Sequence, residues 1–181
     1  SAVNVGGLND LSELENICDL SVRALEQIID YQDYPVKAAE VSTKKRRSLG
    51  IGYIGLAHYL AKNGVKYSEP KAWDLVDRLS EAFQYNLLRA SCNIAMEKGK
   101  CEGFERTKYA DGLLPIDHYK KDVDNIVPHK QRMAWESLRK DIAKYGLRHS
   151  TLSAQMPSES SSVVSNETNG IEPPRALMAI K

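Results

Sequence analysis

The chain has 181 residues, 42% hydrophobic and 27% charged, with 25 Lys and Arg against 24 Asp and Glu for a formal net charge of +1. That length suffices for one domain with a real core, and the near-neutral balance argues against wholesale attraction to nucleic acid or to an anionic membrane. No apolar run approaches the ~20 residues that span a bilayer, the first residues do not read as a charged-then-apolar signal, and Cys18, Cys92 and Cys101 lack metal-ligand spacing and suit a reducing cytoplasm.

In chain order, Ala2 to Val5 reads as a strand closed by Gly6 and Gly7. Asp10 with Glu13 three residues on resembles a capping box. Leu11, Leu14, Ile17, Cys18, Val22, Leu25, Ile28 and Ile29 then recur at helical spacing, which predicts a buried stripe to about Tyr31. Pro35 ends that unit, and Lys44 to Arg47 is a charge run read as a solvated face. Residues 48–55 form a small-residue apolar strand or turn leading into a helix through Leu60 that stops near Asn63 and Gly64.

Ser68 is expected to cap the longest helix, with Pro70 in its first turn, where a missing N–H is tolerated. Ala72, Leu75, Leu79, Phe83, Leu87, Ala90 and Ile94 make its inner face, and Gly99 supplies its stop. Residues 100–128 are loop-rich. A further helix is expected from about Lys130 to Tyr145, carried by Trp135, Leu138 and Ile142 and closed by Gly146. Thr151 to Met156 reads as a buried strand. Residues 176–181 read as a strand cut short, and both ends of the chain look like cuts through a larger protein.

Three features invite other readings. Gly50-Ile-Gly52-Tyr-Ile-Gly55 matches the G-x-G-x-x-G fingerprint literally, but that motif needs a buried strand before it, and Lys44 to Arg47 stand there instead. The glycines are read as allowing close packing of a helix on a strand. Asn166-Glu-Thr168 fits a glycosylation sequon without a secretory signal, and is read as coincidence. No two of His58, His118, His129 and His149 sit at i, i+4 on one helix, so no metal site is expected. His58 is read as packed structure, Cys18 as a small buried hydrophobe, and Cys92 and Cys101 as flanking a helix end.

The strand at 151–156 stops at Pro157, and hydroxyl or carboxyl residues fill 158–162 before Val163 and Val164. A strand, a proline-started turn and a helix start make an anion cradle, because free N–H groups, the helix dipole and serine hydroxyls all favour negative charge. Phosphate is the expected guest.

Here the sequence also resembles a known family. Met156-Pro-Ser-Glu-Ser-Ser161 followed by Ser165-Asn-Glu-Thr-Asn-Gly-Ile-Glu-Pro-Pro-Arg175 is similar to the large, catalytic subunit of class I ribonucleotide reductase. So are Asp30 to Pro35, Arg46 to Gly52, Ala57 to Lys62, Leu114 to Asp117 and Gly146 to Arg148. The resemblance implies an α/β fold, part of the family's ten-stranded barrel, with residues 1–181 as one partial barrel domain from its second half. It implies reduction of ribonucleoside diphosphates to 2′-deoxyribonucleoside diphosphates for DNA synthesis. It places Glu159, Ser160 and Ser161 on the substrate diphosphate, with Ser158 beside them and Pro157 shaping the turn; the family most often has threonine where Ser160 stands.

By the same resemblance, the radical cysteine, the catalytic glutamate and the reducing cysteines fall outside the segment, which therefore carries no catalytic or metal-binding residue and binds no cofactor. The implied partners are the rest of the large subunit and a second copy of it, a di-iron, tyrosyl-radical small subunit, thioredoxin or glutaredoxin, and ATP or dNTP effectors, all cytoplasmic. A non-catalytic nucleotide-binding module, or one half of a split reductase, are the alternative readings. Half a barrel leaves strand edges unpaired, so poor stability or association is expected of the segment alone.

Overall fold

A computed structural model of the chain describes residues 1–126, 130–174 and 176. Three short extended segments lie side by side and run the same way. β1 (Ala2–Asn4) pairs in parallel with β2 (Gly52–Ile54), Ala2 opposite Gly52 and Asn4 opposite Ile54. On the other side, Ile51 bridges Ser153 in parallel, with Leu49 N–H donating to Thr151 O (3.0 Å) and Ile51 N–H to Leu152 O (2.9 Å). The strand read from Thr151 to Met156 is thus present as an extended segment with one bridge, but it is not buried as expected: Leu152 is, while Thr151 and residues 153–155 are exposed.

Parallel neighbours need long crossovers, and helices supply them here, which makes the architecture α/β. Between β1 and β2 run α1 (Glu13–Tyr31) and α2 (Lys37–Arg46). After β2 come α3 (Leu56–Lys62), α4 (Pro70–Lys98) and α5 (Trp135–Tyr145), with short 3-10 turns at Phe104–Arg106, Pro115–Asp117 and Lys121–Asn125 in the loop-rich stretch. α6 (Glu159–Val164) follows the third strand.

The helices form where periodicity placed them, with corrections at their starts. Glu13 Oε1 accepts the amides of Asn9 (3.1 Å) and Asp10 (3.2 Å), while Asp10 Oδ1 takes the Ser12 amide at 2.8 Å, so half of the expected capping box is built. Leu14, Cys18, Val22 and Ile29 bury most of the expected stripe of α1 against α4, whose Leu79, Phe83, Leu87 and Ile94 face inward; Ile28, read as part of that stripe, is instead exposed. Ser68 does not cap α4. Pro70 pushes the residue before it out of the helical region, so Glu69 (φ −91°, ψ 138°) becomes the N-cap and Ser68 falls outside.

α5 starts later than Lys130 because Glu81 of α4 holds the approach: its Oε1 accepts the amides of Arg132 (2.7 Å) and Met133 (3.0 Å) and the Trp135 indole N–H (3.0 Å). Trp135 then packs edge-on to Tyr85 with ring centres 5.3 Å apart.

α2 has no counterpart in the periodicity, because none of its residues is buried. Glu40 ties it along the surface, accepting from Lys37 and Lys44 at 2.8 Å each. The charge run at its end is not all solvated: Arg47 turns into the left-handed region (φ 48°) and is 4% exposed. The strand read at 176–181 lies outside the described residues apart from Ala176, as do His129 and Arg175. No helix among the described residues is long and apolar enough to cross a membrane.

Candidate functional site

All three parallel segments point their C-terminal ends at one loop, 157–170. This is the end of an α/β sheet at which ligands gather. The loop leaves the third strand at Pro157, winds through α6, and closes on itself where the Ser158 amide donates to Asn169 Oδ1 at 2.8 Å. Ser158 is buried, and its hydroxyl donates to Met156 O at 3.4 Å. α6 is short but well terminated. Asn166 adopts φ 51° and donates to Val163 O (3.2 Å), while Glu167 N–H returns to Ser162 O (2.8 Å), the two bonds of a Schellman stop.

The first turn of α6 therefore begins on a fixed residue. Ser158 O accepts the Ser162 amide at 2.9 Å, and Ser162 Oγ, buried, donates to Glu159 O at 2.8 Å. Glu159, Ser160 and Ser161 are exposed on the outer side of the turn. The amides of a helix's first turn have no intrahelical acceptor and point outward along its axis. The structure thus brings Ser158, Glu159, Ser160 and Ser161 together, with Ser158 spending its donors inside the loop and the other three facing out.

The loop docks on the ends of β1 and β2. Gly55 N–H donates to Thr168 O (2.9 Å) and Leu56 N–H to Gly170 O (3.4 Å). Glu167, its side chain 4% exposed, accepts the Thr168 amide at 2.8 Å and meets His58 Nδ1 at 2.8 Å. Gly55 takes φ 84°, and a Cβ there would lie 2.7 Å from Glu167 Cγ. A Cβ on Gly52 would strike the Ala154 carbonyl. The glycines do serve close approach, as read from the sequence, but against the neighbouring strand and this loop. His58 is a correction: its side chain is 51% exposed on the outer face of α3, and Glu167 holds it there. Thr168 Oγ1 is buried without a hydrogen-bond partner among the described residues.

A second cluster, at the opposite ends of the strands, was missed by the sequence reading. Glu26 of α1, 1% exposed, accepts from Arg47 Nε (2.7 Å) and Arg148 Nε (2.8 Å) and sits 3.0 Å from His149 Nε2. Arg47 also forks onto Asp30 at 3.0 and 2.7 Å. The His149 amide donates to Ser91 Oγ (3.2 Å), which leaves the Ser91 hydroxyl to donate to His149 Nδ1 (2.9 Å) and His149 Nε2–H to donate to Glu26. Every polar atom is satisfied with a neutral imidazole. Burial pushes the Glu26 carboxyl up, but the hydrogen bonds from His149, Arg47 and Arg148 outweigh it and hold it at about 2. Burial lowers His149 despite the Glu26 carboxylate. Nothing in the spacing of residues 26, 47, 91, 148 and 149 signals their meeting.

The remaining chemistry is modest. Burial pushes the Cys18 thiol up to about 12 and Cys92 to about 11, and raises Cys101, so none is an activated nucleophile. Among the described residues no group of three His, Cys, Asp or Glu is arranged to hold a metal ion.

Comparison with known proteins covers the whole chain rather than any one loop. Residues 2–181 match the family model described as ribonucleotide reductase, barrel domain. The chain is 59% identical over all 181 residues to a ribonucleoside-diphosphate reductase subunit alpha of Haemophilus influenzae, covering 24% of that protein. It is 56% identical, with the same coverage, to the subunit of that name from Buchnera aphidicola subsp. Schizaphis graminum. The subunit alpha of Enterobacteria phage T4 is 46% identical over 172 residues, or 95% of this chain and 22% of that protein. The chain thus spans about a quarter of the length of these curated relatives.

Proposed function

The chain belongs to the ribonucleotide reductase barrel family, and on that premise we propose that it is the part of a ribonucleoside-diphosphate reductase large subunit that seats the substrate's diphosphate. The observation that carries this reading is the 157–170 loop. It places the resembling residues Glu159, Ser160 and Ser161 outward at a helix start, anchored through Ser158 to Asn169, where three parallel strands end.

In this reading the first-turn amides and the Ser160 and Ser161 hydroxyls hold the diphosphate oxygens. Pro157 starts the turn, and Ser158 fixes its inner side. Glu159, a carboxylate, takes a hydrogen bond from the ribose or a neighbouring donor rather than facing the phosphates. Holding the diphosphate fixes the ribose against the reacting groups elsewhere in the subunit, and positioning of this kind contributes several kcal/mol to a barrier. The segment binds; the chemistry belongs to the rest of the assembly. That assembly would include the remainder of the large subunit and a second copy, thioredoxin or glutaredoxin as reductant, and ATP or dNTP effectors. A small subunit with a di-iron centre would supply the radical.

The test is steady-state kinetics of a full-length subunit carrying this segment, assembled with its small subunit. Ser160→Ala/Ser161→Ala should raise KM for CDP and lower kcat/KM by about tenfold or more, since a hydrogen bond to a charged group contributes ~1.5–3 kcal/mol. Unaltered kinetics in the double variant would contradict the assignment.

A further inference from the structure

A cleft lined by charges of one sign lies away from the 157–170 loop. This open cleft of about 850 Å³ separates α2 from the segment 103–118, beside the residues that lead into β2 and the third strand. Lys37, Lys45 and Arg46 line one wall; Arg106, Lys108 and His118 line the other. No Asp or Glu among the described residues lines it, although the chain carries 24 carboxylates against 25 Lys and Arg. Lys37 pairs with Glu40 (2.8 Å) and Lys45 with Glu102 (2.9 Å), neither of which lines the cleft. Arg46, Arg106 and Lys108 have no carboxylate partner among the described residues.

These cations stand on a fixed frame. Gly103 N–H donates to Lys45 O (2.9 Å), tying one wall to the other. Ser150 N–H donates to Arg46 O (3.0 Å), and the Ser48 and Ser150 hydroxyls meet at 2.9 Å. Between the walls the surface turns apolar at Leu113, Leu114 and Pro115. A cleft of one sign beside a low-dielectric floor focuses its field, and guanidinium forks match phosphate oxygens.

We propose that this cleft binds a small organic polyphosphate, with Arg46, Arg106 and Lys108 on its phosphates and its apolar or aromatic body against Leu113 and Pro115. Size decides for a small molecule over a polymer: the volume falls within the ~300–1,000 Å³ of small-ligand sites. A nucleic acid or acidic polypeptide needs a basic track beyond the cleft, and the net charge of +1 leaves little excess elsewhere. The site is distinct from the turn at 157–161. Ser48 and Ser150 precede strands whose other ends lead to Gly55 and Pro157, seven residues and roughly 23 Å on at the ordinary rise of a strand.

Calorimetric titration of the protein with ATP and with inorganic tripolyphosphate tests this, at low and near-physiological salt. Both should bind, ATP more tightly, and affinity for both should fall at least tenfold in Arg106→Gln/Lys108→Gln. Lys66→Gln/Lys71→Gln, on exposed lysines elsewhere, should change it less than twofold. Circular dichroism should match across all variants. Equal losses in the two charge-removing variants would reduce the cleft to diffuse attraction and overturn the site. So would undiminished binding in Arg106→Gln/Lys108→Gln. Tripolyphosphate binding as tightly as ATP would remove the apolar contact, and tighter binding of poly-glutamate would overturn the small-molecule assignment.

Discussion

Asn169 Oδ1 accepts the amide of Ser158 across 11 residues of chain at 2.8 Å, and that bond closes the loop presenting Glu159, Ser160 and Ser161. The residue beside the proposed diphosphate contacts is therefore spent on architecture, and the contacts depend on a side chain well away in sequence.

Asn169→Ala should accordingly act on binding through geometry. The Ser158 amide loses its acceptor, which costs ~1–3 kcal/mol where water does not replace it. We expect CDP affinity to fall several-fold, and hydrogen exchange over 156–162 to quicken. Asn169→Asp keeps the acceptor and should restore exchange protection. Equal protection in wild type and Asn169→Ala would show that the bond does not hold the loop.

Gly55→Ala tests the docking of that loop on β2. The residue stands at φ 84°, where a side chain costs about 1–2 kcal/mol, and the new methyl would press on Glu167 Cγ. A drop in unfolding free energy of at least ~2 kcal/mol in urea is expected. A change under about 0.5 kcal/mol, the ordinary effect of a surface substitution, would contradict the observed approach.

The buried cluster around Glu26 makes a larger prediction. Glu26→Gln leaves Arg47 and Arg148 facing a neutral group in the interior, and breaking a buried ion pair typically costs ~3–5 kcal/mol. His149→Asn removes no charge and should cost less. If Glu26→Gln melts with the wild type, the cluster does not hold α1 to the strand entrances.

The same cluster sets a pH dependence. His149 ordinarily titrates near 6.5 and is lowered in the fold, chiefly by burial, so the unfolded chain takes its proton first. Stability from this group is full above about 6.5 and declines as pH falls from there. Glu26, held at about 2 against an ordinary 4.5, adds a second loss below 4.5 as the unfolded chain protonates. The urea midpoint should be lower at pH 5.5 than at pH 7.5, and His149→Asn should flatten that difference. An undiminished slope in His149→Asn would assign it to other groups.

What the sequence made legible follows from the range over which each interaction acts. The stripes of α1 and α4 and the Gly99 and Gly146 stops are local patterns, and they formed where expected. The 156–161 turn could be read because a proline, a hydroxyl cluster and a family motif coincide within a few residues. α2 escaped notice because it buries nothing and is held by Glu40 at the surface. Arg47 looked solvated because its partners are 21 and 17 residues away, and Asn169 gave no sign of reaching Ser158. His58 sat among apolar neighbours in sequence, yet α3 turns it outward onto Glu167. Charged side chains gathered from distant positions leave no periodicity to read.

The account rests on the turn holding a diphosphate, and the most direct measurement compares CDP with cytidine. Their dissociation constants, measured on the full-length subunit, isolate what the phosphates contribute. The wild type should prefer CDP strongly, and Ser160→Ala/Ser161→Ala should lose about tenfold or more of that preference while cytidine binds as before. A double variant that keeps the full preference for CDP would place the diphosphate elsewhere.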